Sequence, residues 1–195
     1  MLRSRLVPVV AGFALFAAGL ALWHVSALDG ALHRGLLLDA GGRWVRVTLW
    51  LSVLGGFLVM GPAALAAVAW LAWRGERARA LWLFAMIASG RLVVEGIKLL
   101  VQRPRPSLAD RLEDVSSWSF PSSHSAGTMM TVAALALLAG GRGRTWLAAI
   151  LVAGAVGWSR VALGVHWPSD VLAGWGFGLA WVGAAWRYGG PMRSG

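Results

Sequence analysis

Six long apolar runs, separated by short charged stretches, constrain this chain more than any other feature. They extend from about Leu6 to Leu28, Val47 to Trp73, Leu81 to just before Pro104, Ser122 to Ala139, Trp146 to Trp158, and Pro168 to Trp186. About 20 apolar residues cross the hydrocarbon of a bilayer as a helix. None of the runs has the strict two-residue alternation of a membrane barrel. The expected fold is therefore all-α: a single membrane domain over residues 1–195, an integral bundle of six transmembrane helices. Composition agrees, because 58% of the 195 residues are hydrophobic and only 13% charged, against about a quarter charged in a soluble domain. Disorder, which requires low hydrophobicity, is excluded.

Several local features refine this expectation. The first run follows Arg3 and Arg5, and Val25-Ser26-Ala27 resembles a signal-peptide cleavage site. Its apolar length exceeds the 7 to 15 residues of a signal core, so a retained helix is expected. The second run contains Gly61-Pro62, where a kink is expected. In the third, Arg91, Glu95 and Lys98 fall on one helix face, which must meet protein or water rather than lipid. Trp44, Trp73, Trp82, Trp118, Trp146, Trp167 and Trp186 lie near run ends, as headgroup-level anchors do, whereas Trp175 and Trp181 are expected in the core. Gly174, Gly176 and Gly178 lie inside an apolar run with no preceding strand, so they indicate close helix packing and not a dinucleotide loop.

The formal charge is +10, with 18 basic and 8 acidic residues. The basic residues are scattered between apolar runs without a nucleic-acid module, which argues against a nucleic-acid partner and for membrane lipids. There is no cysteine, so disulfides, thiolate metal sites and cysteine nucleophiles are excluded. With the N-terminus cytoplasmic, the inner segments hold Arg3, Arg5, Arg74, Arg77, Arg79, Arg142, Arg144, Arg187 and Arg193. The outer face holds as many cations, but several belong to a compact constellation with its own explanation. The expectation is a cell-membrane protein with both termini cytoplasmic and a site facing outward.

That constellation has three parts: Lys98 to Pro106 at the end of the third run, Pro121-Ser122-Ser123-His124 opening the fourth, and Ser159-Arg160 with His166 and Asp170 between the fifth and sixth. Consecutive helices run antiparallel, so all three lie at one membrane face. Lys98, Arg105 and Arg160 supply positive charge, and the two guanidiniums offer forked donors that match phosphoryl oxygens. Pro104 and Pro106 hold Arg105 on an extended segment. Ser122 is a natural N-cap, which would aim the amides of Ser123 and His124 at an anion. His166 and Asp170, four residues apart around Pro168, share a face of a first helical turn. A carboxylate on one ring nitrogen leaves the other free as a nucleophile, and His124 is available as general acid. Such a site needs neither metal nor cofactor, since its cations neutralise the charge. Taken singly, Lys98 or Arg160 reads as a snorkelling residue, and the His166/Asp170 pair as a structural bond or half a metal site. Their joint arrival at one face favours a site. His24 and His33 are assigned no role.

The three segments resemble the signature of the type 2 phosphatidic acid phosphatase superfamily: K-x6-R-P on Lys98, Arg105 and Pro106; P-S-G-H on Pro121, Ser122 and His124; and S-R-x5-H-x3-D on Ser159, Arg160, His166 and Asp170. Ser123 stands where the family usually has glycine; the amide needed there is retained. The resemblance implies that Lys98, Arg105, Ser122, the Ser123 amide and Arg160 hold a phosphoryl group, His166 attacks it, Asp170 orients His166 and His124 protonates the leaving group. Glu95, outside the signature, is expected to position Lys98. The implied activity is hydrolysis of a lipid phosphate or pyrophosphate: undecaprenyl pyrophosphate, phosphatidylglycerophosphate or phosphatidic acid. A phosphotransferase using the same site is the alternative. A vanadium haloperoxidase, soluble and larger, fits the composition poorly. A non-catalytic transporter would place its ionisable residues near the midplane instead of at one face.

Overall fold

In the computed structural model, residues 2–191 are described, with side chains from residue 6 onward. The side chains of Arg3 and Arg5, and all of Arg193, which entered the charge count, lie outside the described residues. The described chain is helical: α1 (Leu2–His24), α2 (Ser26–Leu36), α3 (Val45–Gly55), α4 (Phe57–Trp73), α5 (Arg77–Val101), α6 (Ser123–Leu138), α7 (Gly143–Ala162) and α8 (Pro168–Gly189), with a 3-10 turn at Leu108–Asp110.

By length and apolar composition, α1 from Leu6, α5 and α7 can each cross a membrane, and α3 with α4, bent by 44° at their junction, counts as a fourth candidate if the pair is one span. The other two expected spans are present as helices of different character. One is α6, apolar but only 16 residues long; the other is α8, 22 residues rich in glycine, alanine and tryptophan. α6 is the central element, enclosed by α5, α7 and α8, and its residues from Ser125 to Thr131 are all buried. Leu83, Met86, Met130, Ala133, Ala134, Ala153 and Val182 form the core around it.

Two boundaries differ from expectation. The first run divides at Val25 into α1 and the short helix α2, whose Asp29 and His33 are buried. In the second run the break falls at Gly56 rather than at Pro62. Gly56 is extended, with φ −69° and ψ 160°, and a new helix starts at Phe57, so the proline meets only the second turn, where it removes one hydrogen bond. Tightness explains the glycine, because a Cβ there would approach the Val53 carbonyl oxygen at 3.1 Å and His124 Nε2 at 3.4 Å.

The glycines of α8 serve close packing, as expected. A Cβ at Gly176 would lie 2.3 Å from the Phe16 nitrogen, and one at Gly12 would lie 2.3 Å from the Ala180 nitrogen, so α1 and α8 meet backbone to backbone. Gly174 and Gly178 give α6 the same approach from the other side, against Ser122 and Ala126 carbonyls. Trp175 and Trp181 pack in the core and donate to Ala153 and Met86 carbonyls at 3.0 and 3.1 Å. Trp82, expected among the headgroup anchors, is instead buried, with its indole N–H on the Ala185 carbonyl at 3.1 Å and its ring against Trp186.

The seam makes Gly176→Ala costly. Overpacking of this kind destabilises by about 1–3 kcal/mol, whereas Gly154→Ala, with nothing within 4 Å of the added methyl, stabilises by about 0.5–1 kcal/mol. Thermal unfolding in mild detergent should show the melting point falling for the first and rising for the second.

Candidate active site

The C-terminal ends of α5 and α7, the N-terminal ends of α6 and α8, and the 102–122 loop meet at one end of the bundle. Gln102, at φ 48°, ends α5 and turns the chain into the extended, proline-flanked segment around Arg105. The loop is stitched down by backbone bonds: Ser119 N–H to the Arg103 carbonyl at 2.9 Å, Leu112 N–H to Leu163 at 2.9 Å, and Ser122 N–H to Asp170 at 3.1 Å. At the α7–α8 turn, Gly164 has φ +71°, and a Cβ there would collide with the Asp110 carbonyl oxygen at 2.1 Å. Only glycine lets the loop come down on the turn that presents His166.

His166 is 1% exposed and Asp170 is fully buried. Pro168 opens α8 and places Asp170 in its first turn, where Oδ2 accepts the Trp167 N–H at 3.0 Å and lies 3.3 Å from His166 Nδ1. The Ser119 hydroxyl donates to the same oxygen, and Arg103 donates to Oδ1. With its Nδ1 proton directed at Asp170, His166 turns Nε2 toward Arg105 Nη1 at 3.0 Å. Burial first, and then the charges of Arg105 and Arg160, hold the imidazole well below its ordinary pKa, so it is neutral at physiological pH. Arg105 is pushed down to about 10 by burial and by Arg160, and remains a cation. Its guanidinium is fixed by the Ser117 carbonyl at 2.6 Å, the Ser117 hydroxyl at 3.0 Å and the Val165 carbonyl.

His166 Nε2 borders a cavity of about 150 Å³ lined also by Lys98, Arg105, Arg160, His124, Ser123, Glu95 and Arg91. Arg160 is completely buried. Its Nη1 donates to Glu113 at 2.7 Å and to the Ser52 hydroxyl, while Nε and Nη2 have no partner among the described residues. An oxyanion in the cavity would satisfy them. Lys98 donates to the Trp118 carbonyl.

Ser122 is the expected N-cap of α6. Its hydroxyl accepts from Ser125 N at 3.4 Å and from the Ser125 hydroxyl at 3.1 Å, so it shapes the loop behind the cavity and does not line it. Asp170 likewise sits behind His166. Glu95 does not meet Lys98 as expected; its carboxylate accepts from the Ser123 hydroxyl at 2.8 Å.

The motifs did not reveal the support behind this wall. Arg103 Nη2 bonds Asp29 of α2 at 2.9 Å and Nη1 bonds the Ser169 hydroxyl at 2.7 Å, beside its bond to Asp170. Asp29 also accepts from the Ser169 amide at 3.0 Å and from its hydroxyl. The Arg103 guanidinium lies 4.6 and 5.5 Å from the Trp23 and Trp167 rings, within cation–π reach. Arg103 could have been suspected from its place between Gln102 and Pro104, but Asp29, 74 residues away, had no local signal. Nor did Glu113 or Ser52, the partners of Arg160.

The PAP2 superfamily model matches residues 79–192, more than half of the chain. Undecaprenyl-diphosphatase of Sulfolobus acidocaldarius is 39% identical over 67 residues, 34% of this chain and 31% of that protein. Decaprenylphosphoryl-5-phosphoribose phosphatase of Mycobacterium tuberculosis is 37% identical over 115 residues, 55% of this chain and 60% of that protein. The chain thus spans less than two thirds of the length of either curated relative. The crystal structure of a transmembrane PAP2-type phosphatidylglycerolphosphate phosphatase from Bacillus subtilis is similar with a TM-score of 0.77 and 28% identity, covering 90% of this chain and 92% of that one.

Arg103 forms ion pairs with two buried carboxylates at once. Arg103→Met strands both, and should lower the unfolding free energy by about 3–5 kcal/mol. Denaturant unfolding in detergent micelles checks this, and a change below about 1 kcal/mol would show the pairs to be incidental.

Proposed function

Because this chain belongs to the PAP2 superfamily, we propose that it is an integral membrane phosphatase that hydrolyses a lipid phosphate or pyrophosphate through a phosphohistidine. The reading includes six membrane crossings, with both termini cytoplasmic and the cavity at the extracytoplasmic face. One observation carries the chemistry: a buried imidazole, backed by a buried carboxylate on Nδ1, lines a cavity ringed by Lys98, Arg105 and Arg160.

In this mechanism the three cations and the Ser123 amide hold the phosphoryl oxygens and stabilise the charge that spreads over them as the group is transferred. Arg105 moves its Nη1 bond from His166 to the phosphoryl group, which frees the Nε2 lone pair. Once the bound phosphoryl group offsets the charge of the surrounding cations, His124 takes up a proton; Nε2 then attacks phosphorus, the bond from phosphorus to the leaving oxygen breaks, and that oxygen takes the proton from His124. Asp170 keeps the Nδ1 proton and balances the positive charge that His166 acquires. Water then attacks the phosphohistidine, giving a proton to His124, and inorganic phosphate leaves with His166 restored. The cap role of Ser122 makes it a shaping residue rather than a phosphate ligand.

Support for a lipid substrate comes from the apolar bundle around the cavity and from the relatives, whose names describe phosphatases acting on undecaprenyl diphosphate, decaprenylphosphoryl-5-phosphoribose and phosphatidylglycerolphosphate. The test is phosphate release by detergent-purified protein from a panel of such lipids, with and without a chelator, beside His166→Ala. Release should be unaffected by the chelator and fall more than about 1,000-fold in the variant. Activity surviving in His166→Ala would remove the nucleophile, and strict dependence on Mg²⁺ would refute charge neutralisation by the three cations alone.

A further inference from the structure

The cavity contains a fourth cation that the mechanism does not use. Arg91 lies seven residues before Lys98 on the same face of α5, about 10 Å deeper along the helix, and lines the same cavity. The other three cations are anchored by hydrogen bonds. Arg91 makes neither a hydrogen bond nor an ion pair among the described residues; its guanidinium rests 5.1 Å from the Phe57 ring centroid. The guanidinium lies against α6 at Gly127, where an added Cβ would come within 2.7 Å of Arg91 Nη1. An unpaired guanidinium in the spanning part of a helix is expensive, and such residues are retained where they meet a ligand or an ion. Glu95, one turn further along, is engaged by Ser123 and lies between Arg91 and Lys98, which moderates their repulsion while the site is empty.

The position of Arg91 relative to the two histidines gives it a direction. Arg105 stands with the nucleophile His166. Arg91 stands on the side of His124: the His124 ring abuts Gly56, the next residue is Phe57, and Arg91 lies over the Phe57 ring. Gly127, against which the guanidinium lies, is three residues beyond His124 on α6. In an in-line displacement the leaving group departs opposite the nucleophile, so a group continuing past His124 meets Arg91 and Phe57. The Phe57 side chain lines the cavity and is 63% exposed on the outside of the bundle.

We propose that Arg91 binds a second phosphoryl group carried by the leaving half of the substrate, so that the preferred substrate is a lipid with two phosphates, the terminal one being hydrolysed. This rests on the phosphatase reading and narrows it away from simple monophosphates such as phosphatidic acid. The Nε2–phosphorus bond forms, the bond from phosphorus to the leaving oxygen breaks, and His124 supplies that oxygen with its proton. When the leaving half is itself a phosphate, negative charge grows on it as the bond breaks, and Arg91 binds it more strongly in the transition state than in the ground state.

The test compares Arg91→Gln and Arg91→Lys with the parent protein on two substrate pairs: farnesyl diphosphate against farnesyl monophosphate, and phosphatidylglycerophosphate against phosphatidic acid. Arg91→Gln should reduce the kcat/KM preference for the doubly phosphorylated member about 10- to 100-fold in at least one pair, the range of one charge-assisted bond, and Arg91→Lys should reduce it less. The affected pair shows whether the second phosphate is joined directly or through a linker. Competition by inorganic pyrophosphate against inorganic phosphate reads the same subsite without turnover, and Arg91→Gln should abolish any preference for pyrophosphate. If both members of each pair fall equally, or neither preference moves beyond about threefold, the subsite is refuted. A parent protein that releases phosphate from none of the four lipids overturns the phosphatase reading, and the subsite with it.

Discussion

A fully buried carboxylate has to be neutralised where it stands, and the site end of this bundle is organised around how Asp170 meets that requirement. Its two oxygens receive Arg103, the Ser119 hydroxyl, the Trp167 amide and the His166 ring. Arg103 shares its guanidinium between Asp170 and Asp29, and Asp29 in turn is held by both the amide and the hydroxyl of Ser169. The chain Asp29–Arg103–Asp170–His166 therefore links α2, the post-α5 loop and the start of α8 into one hydrogen-bonded unit. Its consequence is a nucleophile candidate with one tautomer and one orientation.

The remaining charges divide by position. Arg105, outside the helices, is pinned to main-chain carbonyls and reaches His166. Arg160, within the bundle, spends one nitrogen on Glu113 and Ser52 and keeps two free. Glu113 thus compensates the arginine, and in the proposed mechanism the other two nitrogens meet the phosphoryl group. The anchoring of these cations by hydrogen bonds is the kind of preorganisation that makes electrostatic stabilisation effective. The apolar helices contribute by fixing the angles and by lowering the dielectric around these charges. Glycine seams between α1, α8 and α6 make that fixing possible with short loops.

What the sequence made legible was local. The spacing of His166 and Asp170 around Pro168 places both on one turn, and the structure has them there. The Ser122 cap and the glycine seam of α8 were readable for the same reason, since each depends on neighbours within a turn or on one helix face. Partners distant in sequence were not readable. Asp29 lies just past an apolar run and became important only once α2 folded back onto the start of α8. The Glu95 case is instructive: helical spacing put it beside Lys98, yet a hydroxyl from α6 took its carboxylate. The break at Gly56 instead of Pro62 was not readable either, because the proline falls in the second turn of α4, where it is tolerated, while the extended residue is the glycine before it. Trp82 was misplaced because position near a run end does not show which way a ring faces.

The central claim is that His166, oriented through Asp170, carries the phosphoryl group. Rapid quenching of the protein with a lipid phosphate labelled in its terminal phosphoryl group, followed by peptide mapping under alkaline conditions that preserve phosphohistidine, tests it most directly. The account predicts an acid-labile label on His166 at Nε2. Label on another residue, or turnover with no covalent label at any quench time, would contradict it.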